Sequence, residues 1–337
     1  MDTDHLPSVS VIVPCYNEVR TIPLLLDSLF SQTYPREKME VVIADGGSTD
    51  GTREEIARFT RAHPEFNLRV LDNPLRRIPA GLNRALGAAR GEIIIRMDAH
   101  AVPQSDYVAR CVQILEEGRG DNVGGVFEIR PGGEGWIARA IAAAASHPLG
   151  VGDARYRLGG RAQFVDTVPF GAYRRSLIEK VGLFDESLLT NEDYEFNVRV
   201  RKAGGRIWFD PSIRTVYFAR ASLTALALQY GRYGYWKAKM LLRYPKTIRW
   251  RQLAGLFVLS WMVFGVLAIW FAWARWLLLI EAIIYSVALF VSGAQMAWKK
   301  RDGFLIFGVP MAIATMHFAW GLAFLWSLLR VDEQTSV

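Results

Sequence analysis

Short apolar runs alternate with amphipathic segments over the first 100 residues of the chain. The runs are rich in β-branched residues, end at turn-forming residues and match buried strands, whereas the segments between them repeat their apolar positions at helical spacing. The predicted strands cover 10–14, 40–44, 67–72 and 92–97, and the helices between them cover 21–32, 52–62 and 81–89. Strands and helices at this spacing form βαβ units, so the pattern predicts a mostly parallel, doubly wound α/β sheet.

The alternation becomes less regular after residue 97. Further strands are predicted at 123–129, 164–170, 206–209 and 214–218, and further helices at 174–181 and 193–203. The soluble, charged part of the chain therefore extends to about residue 220, and we expect residues 1–220 to form one cytosolic domain.

The C-terminal part of the chain is almost entirely apolar. Three stretches, 253–274, 276–298 and 303–329, are long enough to be membrane spans. The first has 22 residues, which as a helix rise about 33 Å against a hydrocarbon core of about 30 Å. Most of the tryptophans here lie near the ends of the stretches, as in interfacial aromatic belts. The pattern predicts three transmembrane helices within 253–330, and an odd number places the tail, 331–337, on the side opposite the soluble domain.

An amphipathic segment, 221–252, connects the two parts. Gln229, Arg232, Tyr233 and Trp236 follow each other at positions i, i+3, i+4 and i+7, which is one stripe of a helix. Mixed aromatic and basic residues are typical of a helix lying in the membrane interface. Arg232 could clamp a diphosphate or extend from such a helix to water.

The charge distribution favours a membrane protein over a nucleic-acid-binding protein. The net charge is +7, but basic residues concentrate just before the first apolar stretch and at 299–301, as in loops that face anionic lipid headgroups. This disfavours nucleic-acid binding. Cys15 and Cys111 are too few and too far apart for a disulfide framework, and residues 1–8 lack a signal-peptide pattern. We expect a multi-pass protein of the cytoplasmic membrane with its soluble domain in the cytosol.

Carboxylates follow two of the predicted strands. Asp45 comes directly after the strand 40–44, at the sheet edge where open α/β proteins bind ligands. Its carboxylate could accept hydrogen bonds from a base or a ribose, although Asp-Gly-Gly is also a good turn by itself. Asp98 and His100 follow the strand 92–97, point the same way on an extended chain and could hold Mn²⁺ or Mg²⁺. The alternative is that Asp98 caps a helix and His100 is a loop residue.

A second acidic pair, Glu192 and Asp193, begins a predicted helix. Acids in a first turn ordinarily satisfy free N–H groups and the helix dipole. A transferase that lacks a His or Cys nucleophile, however, needs a general base, and a carboxylate is the usual one. Both interpretations of the pair remain open at this stage.

Together these motifs resemble glycosyltransferase family 2, inverting enzymes with the Rossmann-like GT-A fold. The segments that carry the resemblance are 11–18 (VIVPCYNE), 45–52 (DGGSTDGT), 98–100 (DAH), 192–193 (ED) and 229–233 (QYGRY). Details such as 96–101 (RMDAHA) and three C-terminal spans look closest to bacterial exopolysaccharide glucosyltransferases of the succinoglycan type. The resemblance covers about residues 9–236.

The resemblance implies roles for individual residues. Asp193 is the expected general base beside Glu192, and Asp98 with His100 is the expected site for Mn²⁺ or Mg²⁺. Gln229, Arg232, Tyr233 and Trp236 are expected near the diphosphate. The nucleotide-sugar site is expected to include Pro14, Asn17, Glu18, Asp45, Gly81, Asn83 and Asp98.

Three positions depart from the family pattern. Gly46 stands where a second Asp is common, and His100 replaces the second metal-binding carboxylate. Many members also have a His after the last strand, and none occurs near Phe218.

The resulting hypothesis is a membrane glycosyltransferase that moves glucose from UDP-glucose to a polyprenyl-linked saccharide. A processive polysaccharide synthase and a transferase acting on polyprenyl phosphate are the alternatives within the enzyme class. The two departures at Gly46 and His100 keep a third alternative open, a non-catalytic membrane partner in a polysaccharide assembly.

Overall fold

The computed structural model describes residues 5–247, 249 and 254–330. The chain divides into two compact units, each assembled from two pieces of sequence. The sheet unit contains Met1–Glu128 and Gly159–Tyr217, and the helical unit contains Ile129–Leu158 and Phe218–Val337. The segment 129–158 thus groups with the C-terminal helices, whereas the sequence pattern placed it within a continuous domain 1–220.

The strands of the described residues form one nine-stranded sheet with the order β3-β2-β1-β4-β8-β6-β9-β5, and β7 pairs with β9. Their bounds are β1 Val9–Cys15, β2 Met39–Asp45, β3 Leu68–Asp72, β4 Ile93–Arg96, β5 Ala101–Pro103, β6 Asn122–Arg130, β7 Gln163–Phe164, β8 Ala172–Arg174 and β9 Ile207–Phe218. The helices are α1 Ile22–Phe30, α2 Thr52–Ala62, α3 Ile78–Ala88, α4 Tyr107–Glu116, α5 Trp136–Ala144, α6 Pro148–Val151, α7 Arg155–Leu158, α8 Arg175–Val181, α9 Glu192–Lys202, α10 Leu223–Arg243, α11 Ala254–Leu267, α12 Ala272–Lys300 and α13 Leu305–Leu329.

The sheet is mixed, so the prediction of a mostly parallel sheet is only partly right. Strands β1 to β4 are mutually parallel, with β1 between β2 and β4. The β8 strand runs antiparallel to both β4 and β6, and β5 and β7 run antiparallel to β9. A parallel pair needs a long crossover connection, usually a helix. That alternation ends at β4, and the strands that follow pair in the other direction.

Three of the parallel strands, β1, β2 and β4, are buried on both faces, which explains their mostly apolar sequences, whereas the edge strand β3 is partly exposed. Every residue of β2 and β4 is buried. Because β1 and β2 pair with Cys15 opposite Asp45, and β2 and β3 with Asp45 opposite Asp72, these strands end at the same edge of the sheet. The loops that follow β1, β2 and β4 therefore start from one edge.

The later strands differ from the predicted ones. The run 164–170 contains only the last residue of β7, and the two runs 206–209 and 214–218 overlap the single strand β9. Between those runs, Asp210 accepts a hydrogen bond from the Ser212 amide, and β9 continues through these residues. Short elements such as β5 and β8 have no distinctive periodicity in the sequence.

The helical unit contains two helices, not three, that are long and apolar enough to cross a membrane within the described residues. They are α12, with 29 residues, and α13, with 25 residues. The predicted first span, 253–274, is wrong: α11 has only 14 residues, and α12 begins a new helix at Ala272. A 14-residue helix rises about 21 Å, less than a hydrocarbon core of about 30 Å. The odd-number argument for the tail therefore fails, and residues 331–337 lie outside the described part.

Polar side chains connect the apolar helices to each other. His317, which the sequence pattern did not explain, lies on α13, and its Nε2 is 2.8 Å from the Leu149 carbonyl oxygen. Since a carbonyl only accepts, Nε2 donates there, and Nδ1 accepts from the Tyr285 hydroxyl at 3.1 Å. Glu281 accepts a hydrogen bond from the Ser260 hydroxyl at 2.7 Å. These contacts join α11, α12, α13 and α6.

Segment 129–158 packs against the same helices. An ideal Cβ on Gly308 of α13 would lie 2.5 Å from the Ala140 Cβ of α5, so the two helices make very close contact. Arg139 of α5 also forms an ion pair of 2.8 Å with Asp302. The Ala-rich sequence of α5 is what permits this close approach, because small side chains let helix backbones come together.

Helix α10 packs closely against α13. An ideal Cβ on Gly234 would lie 2.1 Å from the backbone oxygen of Trp320, whereas one on Gly231 would lie 3.9 Å from the backbone oxygen of Ala319. Gly234 is therefore required for this helix contact, while Gly231, one turn earlier, has room for a methyl group.

We expect Gly234→Ala to destabilise the protein by about 1–3 kcal/mol, the usual range for overpacking. Gly231→Ala is the matched control, and it should be neutral or stabilising because alanine favours the helix by about 1 kcal/mol. Thermal unfolding of both variants in detergent measures the difference. Equal midpoints for the two variants would show that the helix contact does not depend on Gly234.

Candidate active site

The loop after β2 surrounds the Asp45 side chain, which is fully buried. Its carboxylate accepts hydrogen bonds from the amides of Gly47 and Ser48, from the Ser48 hydroxyl and from Nε of Arg53. Burial alone would raise the pKa of Asp45, but the hydrogen bonds from Ser48 and Arg53 outweigh it and lower the pKa. Asp45 is thus an ionised residue that shapes its own loop, and its proposed contact with the nucleotide stays a prediction.

The loop after β1 is hydrogen-bonded to the loop after β2. The Asn17 amide donates to the Ser48 hydroxyl at 2.8 Å, and the Asn17 side-chain oxygen accepts from the Thr49 amide at 2.9 Å. The Glu18 amide donates to the Thr52 hydroxyl at 2.8 Å. Asn17 has a φ of 55°, a left-handed conformation that asparagine adopts more readily than most residues. The two loops therefore form one wall at the edge of the sheet.

The Tyr16 ring lies close to the glycine at position 46. An ideal Cβ on Gly46 would lie 3.1 Å from the Tyr16 ring, so the aspartate common at this position in the family would crowd the ring. Tyr16 is 45% exposed, and the Arg76 guanidinium lies 5.8 Å from its ring centroid. An exposed aromatic face beside a glycine-lined loop is suitable for stacking a planar base.

Three other residues predicted to bind the nucleotide sugar have structural partners in the sheet unit. An ideal Cβ on Gly81 would lie 3.3 Å from the Pro14 Cβ, so this glycine lets α3 pack on β1. Asn83 donates to the Phe184 carbonyl and to Glu186, and it accepts from the Phe184 amide. Asn83 therefore holds the loop that precedes α9.

Asp98 and His100 lie together at the end of β4, as the sequence predicts. Nε2 of His100 is 3.8 Å from Oδ2 of Asp98, and Nδ1 of His100 is 3.0 Å from Oε1 of Glu18. Glu18 also accepts a hydrogen bond of 2.5 Å from the Thr21 hydroxyl. Burial would lower the pKa of His100, but the hydrogen bond that its Nδ1 donates to Glu18 and the charge of Asp98 raise it to about 9. Glu18 thus faces the histidine.

Arg96 connects Asp98 to the acidic pair on α9. Its Nη2 lies 2.9 Å from Oδ1 of Asp98 and 2.8 Å from Oε1 of Glu192. Glu192 is the first residue of α9, and Asn191 before it has a left-handed backbone. Asp193 lies next to Glu192, and its Oδ1 accepts a hydrogen bond of 2.7 Å from the Tyr194 amide. The structure thus brings together the residues predicted for metal binding and for base catalysis.

Burial dominates the ionisation of the acidic pair. It raises the pKa of Glu192 to about 7, with the positive charge of Arg96 opposing the rise and the negative charge of Asp193 adding to it. Burial also raises the pKa of Asp193, again against the charge of Arg96. A carboxylate whose pKa is raised toward neutrality is a better proton acceptor, which suits a general base.

The donor atoms at Asp98 and His100 fit a divalent cation. Oδ1 of Asp98 is occupied by Arg96 and Nδ1 of His100 by Glu18, which leaves Oδ2 and Nε2 facing each other, and a cation bound between them would replace the proton that the raised pKa of His100 keeps on Nε2. A carboxylate that contacts the other nitrogen of a histidine is the usual partner of a metal-binding histidine. Residues 5–247, 249 and 254–330 contain no group of three or more His, Cys, Asp or Glu placed to hold a metal. Phosphate oxygens of a substrate would complete such a site.

The four predicted diphosphate-binding residues lie on α10, in the helical unit. Gln229 is buried and donates to the Tyr233 hydroxyl at 3.0 Å, one turn along the helix. Arg232 is exposed, and Trp236 is partly buried. The helix itself is as predicted, and the roles of these residues remain predictions.

The sequence analysis did not predict a role for two arginines of this region. Arg53 joins Asp45 to Asp72, and Arg96 joins Asp98 to Glu192. The signal for Arg96 is present in the sequence, since it is a charged residue at the end of an otherwise apolar buried strand. Arg53 gives no such signal, because an arginine in the first turn of an amphipathic helix is ordinary.

Comparisons with known proteins agree with this geometry. The family model "Glycosyl transferase family 2" matches residues 10–182. The chain is 34% identical over 335 residues to the succinoglycan biosynthesis protein ExoA of Rhizobium meliloti, with 98% of each chain covered. It is 28% identical over 331 residues to the dolichyl N-acetyl-α-D-glucosaminyl phosphate 3-β-D-2,3-diacetamido-2,3-dideoxy-β-D-glucuronosyltransferase of Methanococcus voltae, covering 96% of this chain and 97% of that one.

A solved structure shares the fold. The mannosyltransferase PcManGT from Pyrobaculum calidifontis, in complex with GDP-Man and Mn²⁺, superposes with a TM-score of 0.65 at 22% identity. The match covers 98% of this chain and 90% of that one. The α/β arrangement is therefore that of the GT-A glycosyltransferases.

Proposed function

Because this chain belongs to glycosyl transferase family 2, we propose that it transfers a single glucose from UDP-glucose to a lipid-linked saccharide with inversion at the anomeric carbon. The observation that carries the proposal is the position of Asp193. It lies at the start of α9 beside Glu192, which shares Arg96 with Asp98 at the end of β4. A candidate base and a candidate diphosphate site are thus joined through one side chain.

The donor site uses the loops at the sheet edge. Tyr16 offers an exposed ring for the uracil base, and the loop after β2, shaped by Asp45, forms the wall beside it. Asp98 and His100 would hold Mn²⁺, with Mg²⁺ as the alternative hard cation. When bound there, such a cation neutralises the diphosphate and makes it a better leaving group.

Asp193 performs the proton transfer. Its carboxylate accepts the proton of the acceptor hydroxyl while that oxygen forms a bond to the anomeric carbon. The bond between this carbon and the donor phosphate oxygen breaks, and UDP leaves with the electron pair. Attack from the face opposite the diphosphate converts an α-linked donor into a β-linked product. Glu192, held by Arg96, keeps the first turn of α9 in place for this step.

The acceptor is proposed from the relatives and the helical unit. ExoA acts in succinoglycan biosynthesis, and the Methanococcus protein is named for a dolichyl-phosphate-linked sugar acceptor. Helices α12 and α13 are long and apolar enough to enter a bilayer. A membrane-anchored enzyme meets a polyprenyl-linked saccharide at the surface where that lipid resides.

The test measures UDP release and product size in membranes that contain the protein. We expect Mn²⁺-dependent release of UDP from UDP-glucose, abolished by EDTA, and a lipid-linked product one hexose larger than the acceptor. GDP-mannose serves as the control donor. Release from GDP-mannose alone would reject UDP-glucose, a ladder of products would indicate a processive synthase, and nucleotide binding without release from any donor would indicate a non-catalytic assembly partner.

A further inference from the structure

Arg96 is a charged residue in the interior of the sheet unit. It ends β4 after three isoleucines and is only 4% exposed. Its Nη1 donates to the Pro169 carbonyl at 2.9 Å, and its guanidinium carbon lies 5.2 Å from the centroid of the Phe170 ring. A buried guanidinium is strongly unfavourable unless it is paired and hydrogen-bonded. The partners of its other terminal nitrogen therefore explain why it is here.

That nitrogen, Nη2, is shared by two carboxylates from distant parts of the chain. Asp98 lies 2.9 Å away and Glu192 lies 2.8 Å away, although Arg96 and Glu192 are 96 residues apart in sequence. One nitrogen atom thus sets the separation between the end of β4 and the first residue of α9. A hydrogen bond of this kind, between charged partners, is about twice as strong as a neutral one.

We propose that Arg96 is a positioning residue that sets the distance between the diphosphate-binding end of β4 and the base-bearing start of α9. The inference rests on the proposed function, because it assigns Asp98 and Asp193 the roles given above. Arg96 acts through Glu192: it holds the first turn of α9, and the Asp193 carboxylate follows that turn. Arg96 itself does not touch the reacting atoms.

Charge balance supports the same conclusion. Asp98, Glu192 and Asp193 bring three carboxylates to a largely buried region, and Arg96 is the cation that contacts two of them. Without this cation, the buried Glu192 and the partly buried Asp193 would lie next to each other without the positive charge that offsets their repulsion. The first turn of α9 would then relax away from β4, or take up protons.

The fork of the guanidinium is needed for this role. Arg96 holds the Pro169 carbonyl with one terminal nitrogen and both carboxylates with the other. A lysine ammonium presents a compact point charge and lacks the planar fork. Arg96→Lys should therefore retain the charge and part of the positioning, whereas Arg96→Gln should lose both.

The first experiment compares kcat for transfer with the Kd of UDP measured in EDTA, so that the affinity for the cation, whose ligand Asp98 contacts Arg96, does not enter the Kd. We expect Arg96→Gln to lower kcat by about 100-fold, as small displacements of catalytic groups do. The Kd of UDP should stay within about threefold, because Arg96 is proposed to affect the reaction step and not the binding of the nucleotide. Arg96→Lys should recover part of kcat. The control is Arg69→Gln, which breaks the ion pair of 2.6 Å with the buried Glu40 in the same sheet and should lower stability but leave kcat unchanged.

The second experiment tests whether Arg96 acts through Glu192. We expect the double variant Arg96→Gln/Glu192→Gln to lose no more kcat than the worse single variant. Thermal unfolding in EDTA should show the same non-additivity, a readout that needs neither metal nor turnover. Additive losses, or full kcat in Arg96→Gln, would overturn the proposal.

Two further outcomes are also decisive. If Arg96→Gln does not fold, Arg96→Lys carries the test, and full kcat in that variant would overturn the need for the fork. If the wild-type protein releases no UDP from any donor, the proposed function fails instead. An active wild type with an equally active Arg96→Gln variant rejects the positioning role alone.

Discussion

Replacing Asp193 with asparagine is expected to lower kcat for sugar transfer by about 10²–10⁴-fold, the range that a general base contributes. Asparagine has nearly the same shape but cannot accept the acceptor proton, so the binding of UDP should change little. UDP release and UDP affinity, measured on the same preparation, give the two quantities. A variant that keeps wild-type turnover would remove Asp193 from the reaction.

Glu195→Gln is the control for this substitution. Glu195 is also an acid in the first turn of α9, but its carboxylate pairs with Arg199 at 2.7 Å. If the first-turn acids only stabilise the helix, both variants should lose stability and neither should lose turnover. If Asp193 is the base, Glu195→Gln should lower the unfolding temperature and leave kcat intact. Asp193→Asn should lower kcat and leave the unfolding temperature intact.

The pH dependence of kcat gives a second measure of the same residue. The base must be unprotonated, so kcat should rise with pH. Burial raises the pKa of Asp193, and the rise should therefore lie above the ordinary aspartate value of about 3.9. A profile that is already flat from pH 4 upward would contradict a buried base.

The other large effect is expected at Asp98. Asp98→Asn removes the charged oxygen of the candidate cation site. Loss of a residue that only contacts a metal ligand lowers metal affinity by roughly 10–100-fold. Because Asp98 is itself a candidate ligand, the Mn²⁺-dependent affinity for UDP should fall by more than that. Titration calorimetry with UDP, with and without Mn²⁺, separates this loss from any change in nucleotide affinity itself.

A surface carboxylate serves as the control for Asp98. Asp106, just before α4, forms an exposed ion pair of 3.2 Å with Arg110. Asp106→Asn should leave the Mn²⁺ effect unchanged. Equal Mn²⁺ dependence in Asp98→Asn and in the wild type would place the cation, if one acts, at other residues.

The sequence predicted the first half of the sheet unit well because local and global signals agree there. Strands β1, β2 and β4 are buried along nearly their whole length, so their sequences are mostly apolar, and α2 has the bounds that its amphipathic pattern predicts. After β4 the strands are shorter or pair antiparallel, and β7 and β8 contain only two and three residues. Such pairings are decided by contacts between distant segments, which no local period records.

The individual residues of the candidate site could be predicted from the sequence, but the contacts between their side chains could not. Strand ends and a helix start pointed to Asp98, His100 and Asp193. The sequence could not show that Glu18 contacts His100, because their side chains meet across 82 residues. The role of Arg96 was hidden for the same reason. The count of membrane helices failed because α11 and α12 are separated by a break that has no proline or charge to mark it.

The interleaving of the two units along the chain decides how the protein can be shortened. Ending the polypeptide near residue 220 would delete α13 but retain segment 129–158, which belongs with the helical unit. The buried face of α5, including Ala140 and Ile141, would then lose the apolar residues of α13 that cover it. Such a fragment would expose an apolar, alanine-rich surface and aggregate. A water-soluble version therefore requires two cuts, one at the C-terminal boundary and one that replaces 129–158 with a short flexible connector.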